Sequence, residues 1–119
     1  MKNRHLLHRF GYALDGLRYV WGSERSFRTE IGCALAAGIV LAILRPGWQW
    51  AALIVLCVML VLGCELLNTA LEALIDHIHP DVSPAIKHAK DAAAAAVLVS
   101  ATGSVCIGAM MLLSVVLGW

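Results

Sequence analysis

The sequence contains few charged residues, and this scarcity limits the kinds of protein that it can encode. Charged side chains account for 14% of its 119 residues, whereas hydrophobic side chains account for 61%. A water-soluble domain of this size has too little interior to bury so much apolar surface. The net charge of +1 also provides no broad basic surface that would attract a nucleic acid. We therefore expect residues 1–119 to form a single domain in a membrane.

The sequence also lacks the common phosphate-binding loops. It has no Gly-x-x-x-x-Gly-Lys-Ser/Thr motif and no Gly-x-Gly-x-x-Gly motif, so loop motifs do not predict nucleotide binding. Its cysteines lie in apolar segments without Cys-x-x-Cys spacing, at Cys33, Cys57, Cys64 and Cys106. We expect them to pack against apolar neighbours and not to bind a metal ion or form disulfides.

Three long apolar segments are present instead. Residues 92–119 contain no charged residue and exceed the roughly 20 residues that a membrane-spanning helix needs. Residues 31–44 and 51–64 are shorter uncharged runs, but their flanks extend them to membrane length, and Trp48 and Trp50 are typical of a membrane interface. We predict an all-α membrane protein with spans at about 29–48, 50–75 and 91–118.

The N-terminal residues predict a fourth helix, which would lie on the membrane surface over about residues 4–26. Apolar side chains recur there at helical spacing, at Leu6, Phe10, Leu14, Leu17 and Trp21, with charged residues opposite them. Six of the nine Lys and Arg residues precede Ile31, whereas the turn between the first two spans carries only Arg45. The positive-inside rule then places the N-terminus in the cytoplasm.

Small residues recur every fourth position along the third span. They are Ala92, Ala96, Ser100, Ser104 and Gly108. Such a stripe lets two helix backbones approach closely in lipid, where the hydrophobic effect does not drive helices together. Because three spans enclose a site poorly, we expect an oligomer.

The second span carries polar residues at its cytoplasmic end. Glu65, Asn68, Glu72 and Asp76 fall within an arc of about 80° on a helical wheel, and Glu65 lies about 10 Å along the axis from Glu72. Ionisable groups at membrane depth are costly and usually functional. The alternative is that the helix has left the membrane by Glu72, so that its last charges form an ordinary solvated face.

Other charged residues are expected at the same membrane surface. Glu24 and Glu30 precede the first span, and Lys90 and Asp91 open the third. Grouped carboxylates suit a hard cation such as Mg²⁺, which is often completed by substrate phosphates. Lys90 could bind a phosphate or could extend to lipid headgroups. The residues alone therefore predict an acidic, metal-binding site at the cytoplasmic face.

Residues 65–76 read Glu-Leu-Leu-Asn-Thr-Ala-Leu-Glu-Ala-Leu-Ile-Asp. This segment resembles the signature of the prokaryotic diacylglycerol kinase family, whose core is Glu-x-x-Asn-x-Ala-x-Glu. Ala89-Lys90-Asp91 and the alanines that follow resemble the second motif of that family. The order of elements is also similar at Gly11-Tyr12, Gly16-Leu17-Arg18, Glu24 and Phe27-Arg28-x-Glu30. The resemblance covers nearly the whole chain.

The resemblance implies a homotrimer of three-span subunits, each with an N-terminal surface helix, that transfers the γ-phosphate of ATP to a lipid hydroxyl. It implies that Glu65 is the catalytic base and that Asn68 is a polar active-site residue. The metal ion would be Mg²⁺, with Mn²⁺ as a possible substitute, bound by Glu24 and Glu72. The implied nucleotide contacts are Tyr12, Glu24, Glu72, Asp81, Val82, Ser83, Lys90 and Asp91, and the last two also belong to the implied catalytic group. Where the family has an arginine six residues before its Gly-Tyr pair, this chain has His5, with Arg4 beside it.

The lipid acceptor stays open at this point. We favour diacylglycerol, and undecaprenol is the alternative because both are apolar membrane alcohols. A small proton-coupled transporter is a more distant alternative, but such carriers place their acid near the middle of the bilayer. A purely structural subunit would leave the acidic residues without a role. The resemblance further implies the bacterial cytoplasmic membrane as the location.

Overall fold

A computed structural model describes residues 5–119, and Arg4 lies outside that range. The described residues form four helices and no strands: α1 at Leu6–Ser23, α2 at Arg25–Leu44, α3 at Trp48–Ile78 and α4 at Pro84–Leu117. The last three are long and apolar enough to cross a membrane. The predicted all-α architecture, with three membrane-length helices after an N-terminal helix, is confirmed.

Local sequence explains where the helices end. Glu24 alone separates α1 from α2 and has an extended backbone, and the Arg28 guanidinium donates a hydrogen bond to the Trp21 carbonyl across this corner. Arg45 ends α2 in the left-handed conformation, and Gly47 also has a positive φ of 114°. A glycine adopts that angle without the strain that a Cβ atom would add. The chain can therefore reverse direction between α2 and α3 within three residues.

The start of α4 follows the usual chemistry of a helix N-terminus. Ser83 caps the helix, and its hydroxyl oxygen accepts a hydrogen bond of 3.3 Å from the backbone N–H of Ile86. Pro84 occupies the first helical turn, where its missing N–H leaves no broken hydrogen bond. The helix therefore begins before the segment predicted to enter the membrane, and Lys87 and Lys90 lie on its first two turns.

The centre of the bundle is the inner face of α3, which packs most extensively against α4 and then against α2. Ile54 and Cys57 are buried on this face, and Glu65 and Thr69 continue it. The opposite face exposes apolar side chains such as Leu56 and Met59. Exposure of this kind is expected for a helix that contacts lipid, because lipid chains are as apolar as the side chains.

The small residues of α4 are divided between two environments. Ser104 and Gly108 line a cavity beside α3 of the same chain, whereas Ala96 is exposed. The Ser100 and Ser104 hydroxyls donate hydrogen bonds of 3.0 and 2.8 Å to carbonyls of their own helix. Because their polar groups are already paired, these serines can pack in an apolar setting. Part of the stripe therefore serves packing within one chain.

Helix α1 exposes the apolar residues that predicted a surface helix. Its exposed apolar side chains are Leu6, Phe10, Leu14, Leu17 and Trp21. Val20 is buried near the corner with α2. Asp15 and Arg18 form an exposed ion pair of 3.3 Å, which stabilises the helix little. An exposed apolar stripe next to charged residues is the pattern of a helix that lies at a membrane interface.

Candidate active site

The candidate active site is built around Glu65, a buried acid in the middle of a membrane-length helix. Only 4% of Glu65 is exposed. Glu30 on α2 stands close enough to Glu65 for the two carboxyl groups to interact. Two carboxylates cannot donate to each other, so a proton or a donor from another molecule is needed to bridge them. The arrangement therefore suits a ligand that carries a hydroxyl group.

Two further carboxylates stand near Glu65. Glu24, at the corner between α1 and α2, and Glu72, two turns along α3, are close enough for their negative charges to interact with it. The structure thus brings acids from two separate segments of the chain to the same place. The negative charges of these groups repel one another, and a cation would relieve this repulsion.

Several buried polar atoms at this site have no hydrogen-bond partner among the described residues. They are Oε2 of Glu30, Oδ1 of Asn68 and Oγ1 of Thr69. Buried polar atoms are nearly always paired, and an unpaired one calls for an explanation such as a missing ligand or water. Three such atoms on adjoining turns of α2 and α3 indicate a site that is completed by another molecule.

The Lys90 ammonium lies beside this face, held by an acid of α3. Lys90 Nζ donates a hydrogen bond to Asp76 Oδ1 and so forms an ion pair between α4 and α3. The neighbouring pair, Lys87 and Asp91, is joined at 2.6 Å within α4. Of the two lysines at the start of α4, Lys87 therefore pairs within α4, whereas Lys90 pairs with the helix that carries Glu65.

The remaining residues implied by the resemblance lie on α1 and in the loop between α3 and α4. Tyr12 is partly exposed in the middle of α1, and Val82 is strongly exposed in the loop between α3 and α4. In that loop, Ser83 caps α4 and the Asp81 carbonyl pairs with His79 Nδ1 at 2.8 Å. Within residues 5–119, the hydrogen bonds of the Asp81 carbonyl and the Ser83 hydroxyl are local, to His79 and Ile86. The structure therefore brings Glu24 and Glu72 near Glu65, whereas the hydrogen bonds of this loop stay within it and the start of α4.

A cavity of about 410 Å³ lies between α2, α3 and α4 and reaches Glu30. Glu30 is the charged residue among those that line it in the described chain, and the apolar lining includes Cys57, Val61, Ala101, Val105 and Met111. One end of the space is therefore acidic, and the rest of it is apolar. An amphipathic molecule with a polar head and a hydrocarbon tail would match this distribution.

A metal ion would have few protein ligands at this site. In residues 5–119, no group of three or more His, Cys, Asp or Glu side chains is placed to hold one. The two candidate ligands, Glu24 and Glu72, are acids whose charges reach Glu65. Mg²⁺ commonly binds through one or two carboxylates, with waters and substrate phosphates completing its shell. The donor chemistry therefore fits Mg²⁺ held jointly with a nucleotide.

Three residues at the site have no role in the prediction from sequence. From the sequence, Glu30 is one acid among several and Asp76 is part of a polar face. In the structure, Glu30 interacts with Glu65, and Asp76 pairs with Lys90. Thr69 is 3% exposed, and a threonine among apolar residues gives no signal in the sequence. These three residues are identified as part of the site by contacts between helices, and helix periodicity alone does not reveal such contacts.

Comparisons with known proteins identify the family. The family model for prokaryotic diacylglycerol kinase matches residues 11–112. The diacylglycerol kinase of Escherichia coli K12 is 37% identical over 90 residues, which are 76% of this chain and 74% of that protein. The diacylglycerol kinase of Synechocystis sp. is 36% identical over 110 residues, or 92% of this chain and 63% of that protein. The matched region includes every element of the site from Tyr12 to Asp91. The chain therefore belongs to the prokaryotic diacylglycerol kinase family and is a membrane lipid kinase that uses ATP as its phosphate donor.

Proposed function

We propose that the chain phosphorylates diacylglycerol, by transfer of the γ-phosphate of ATP to the free hydroxyl of the lipid. The observation that carries this proposal is the buried Glu65 carboxyl beside Glu30, which lines an otherwise apolar cavity. A lipid alcohol could place its hydroxyl at the acids and an acyl chain among the apolar side chains. The names of the matched relatives support diacylglycerol as this alcohol.

Glu65 is the proposed catalytic base. As the alcohol oxygen forms its bond to the γ-phosphorus and the bond to ADP breaks, the Glu65 carboxylate accepts the hydroxyl proton. Its burial at 4% exposure keeps water away, so that the lipid hydroxyl competes well as the acceptor. Asn68 is the proposed polar partner, because its unpaired Oδ1 faces the same site and its amide can orient a phosphate or hydroxyl group.

Glu24 and Glu72 are the proposed ligands of Mg²⁺, and Mn²⁺ is expected to substitute. When bound, the ion would neutralise charge on the ATP phosphates. The two carboxylates would fix the position of the phosphates relative to Glu65. Alignment and charge neutralisation account for most of the catalysis in phosphoryl transfer, because the protein needs to make no covalent bond of its own.

The proposed nucleotide contacts lie on α1, in the loop between α3 and α4, and near the start of α4. Lys90 would bind a phosphate through its ammonium group, and Asp91 beside it would contact the nucleoside. Tyr12 on α1 and the loop residues Asp81, Val82 and Ser83 would complete the pocket. The exposed position of Val82 is compatible with entry of ATP from the aqueous side.

An assay of the acceptor lipid tests the proposed substrate. Purified protein in mixed micelles, supplied with labelled ATP and Mg²⁺, is expected to phosphorylate diacylglycerol at least tenfold faster than undecaprenol at equal mole fraction. The preference should hold against a polyprenol shortened to the length of the acyl chains, because the recognised group is the hydroxyl and its glycerol neighbours. A faster reaction with undecaprenol would contradict diacylglycerol as the acceptor, while the lipid kinase family would stand.

We propose that the chain lies in the bacterial cytoplasmic membrane with its N-terminus in the cytoplasm. The support is the excess of Lys and Arg before Ile31 and near Lys87 and Lys90, against Arg45 alone in the first turn. In a variant without native cysteines, a cysteine at Trp48 should react with an impermeant maleimide added to intact cells from outside. A cysteine at Val82, which is exposed in the loop at the other end of α3, should react only after the cells are opened. The reverse pattern would contradict this orientation.

A homotrimer is the proposed assembly. The resemblance to the family implies it, and the exposed faces of the helices leave room for it. Ala96 is exposed on α4, and its small side chain would let a helix of another subunit approach closely. The apolar outer face of α3, including Leu56 and Met59, could contact either lipid or a second subunit.

A further inference from the structure

We propose that Asp76 is a positioning residue that holds the Lys90 ammonium at the phosphate site. This inference rests on the proposed role of Lys90 in binding ATP and adds a partner that directs it. Asp76 lies in the last turns of α3, and its carboxylate pairs with Lys90 Nζ on α4. The contact joins residues 14 positions apart in the chain, so it exists only when α3 and α4 are packed together.

The geometry explains why Lys90 needs such a partner. A lysine side chain is long and flexible, and fixing it on binding costs conformational entropy. The Lys90 side chain is 33% exposed, so nearby packing only partly restrains it. An ammonium group has three N–H donors, and one of them is used by Asp76. Two donors remain for phosphate oxygens when the ion pair is kept.

Asp76 is also placed to set the direction of the ammonium. It follows Glu72 by four residues and therefore lies on the same face of α3, about one turn further along. The ion pair thus ties Lys90 to the face that carries Glu65 and the proposed metal ligand. Lys87 and Asp91 provide a contrast, because their ion pair lies within α4 and is exposed at both ends. That pair gives no connection to α3.

The direction in which the KM for ATP changes when Asp76 is replaced distinguishes a positioning role from a purely electrostatic one. Asp76 is 61% exposed and carries a negative charge near the proposed site of an anionic nucleotide. If charge alone mattered, removal of Asp76 would reduce repulsion and lower the KM for ATP. If Asp76 positions Lys90, its removal frees the ammonium to move away and raises the KM for ATP. The two explanations therefore predict opposite changes.

Steady-state kinetics of Asp76→Asn in the full-length enzyme test the proposal. We expect the KM for Mg²⁺-bound ATP to rise roughly tenfold, with little change in the KM for the lipid or in kcat at saturating ATP. Asp76→Glu, which keeps the charge, should recover most of the loss. Asp15→Asn is the matched control, because it breaks an exposed ion pair on α1 by the same chemical change. It should leave both KM values unchanged.

A double-mutant cycle with Lys90→Met ties the effect to the ion pair. If Asp76 acts through Lys90, Asp76→Asn should have no further effect on the KM for ATP when Lys90 is already methionine. An additive effect would overturn the proposal. So would an unchanged or lower KM for ATP in Asp76→Asn. Should that variant fail to accumulate in membranes, Asp76→Ser gives the same comparison.

The same measurements separate this inference from the proposed function. If Lys90→Met leaves the KM for ATP unchanged, the proposed nucleotide role of Lys90 is wrong and the positioning role falls with it. If Lys90→Met raises that KM but Asp76→Asn does not, the nucleotide role stands and only the inference about Asp76 is overturned. The unfolding temperature of each variant in detergent reports on its structure. If Asp76 had a purely structural role, its replacement would lower this temperature without a selective change in the KM for ATP.

Discussion

Replacement of Glu65 by glutamine is expected to lower kcat by about 10²- to 10⁴-fold, with little change in the KM for ATP. Glutamine keeps the size and the hydrogen bonding of the side chain but cannot accept the proton of the lipid hydroxyl. A loss of this size corresponds to roughly 3 to 5 kcal/mol of transition-state stabilisation. Initial rates at saturating lipid, with ATP varied, measure both constants.

The stability of the same variant gives an independent check. Glu65 is almost fully buried, and burial of an ionised carboxylate is more costly than burial of a neutral amide. Glu65→Gln should therefore unfold in detergent at a temperature equal to or above that of the parent protein. Glu65→Asp, which keeps a carboxylate but shortens its reach, should retain more activity than Glu65→Gln. Near-normal turnover in Glu65→Gln would show that another group accepts the proton.

Replacement of Glu72 by glutamine is expected to produce a defect that depends on the metal ion. Loss of one anionic ligand should raise the Mg²⁺ concentration needed for half-maximal activity by about 10- to 100-fold. The apparent KM for ATP should rise with it, because the ion binds together with the phosphates. Added Mn²⁺ should restore part of the rate, since Mn²⁺ generally binds such oxygen ligands more tightly than Mg²⁺ does. Titration of each metal at fixed free ATP measures these shifts.

Asp15→Asn is the control for the metal dependence of Glu72→Gln. Asp15→Asn also converts an acid to an amide, but Asp15 pairs with Arg18 in an exposed ion pair within α1. Its dependence on Mg²⁺ should match that of the parent. If Glu72→Gln bound Mg²⁺ and ATP normally, the assignment of Glu72 as a metal ligand would be wrong, and the glutamate would need another role on this face.

The sequence was sufficient to predict the helices and the acidic face of α3. Uncharged segments of membrane length have few alternatives to a helix, because a lipid environment leaves no other partner for backbone N–H and C=O groups. The spacing of Glu65, Asn68 and Glu72 places them together on any helix, whatever its neighbours. These predictions depend only on local geometry, and this explains their success.

The contacts between helices could not be predicted in the same way. Glu30 and Glu65 lie on different helices, and their approach depends on how α2 and α3 are rotated against each other. The pairing of Lys90 with Asp76 depends likewise on the rotation of α4. Lys87 and Asp91, four residues apart on one helix, were the easier pair to foresee because helix periodicity alone brings them together. The partners of the active-site residues are set by side-chain packing along the whole bundle.

The packed apolar residues and the acids lie on one face of α3, and this limits the insertions and deletions that the helix can tolerate. Ile54 and Cys57 pack on the same side as Glu65, so the apolar half of α3 sets the rotation at which its acidic half meets α2. One residue inserted between Cys57 and Glu65 would turn the acids by about 100° relative to the packed core, whereas seven would turn them by only about 20°. The length of this segment is therefore constrained in steps of whole helical turns, even where the identity of each apolar residue is not.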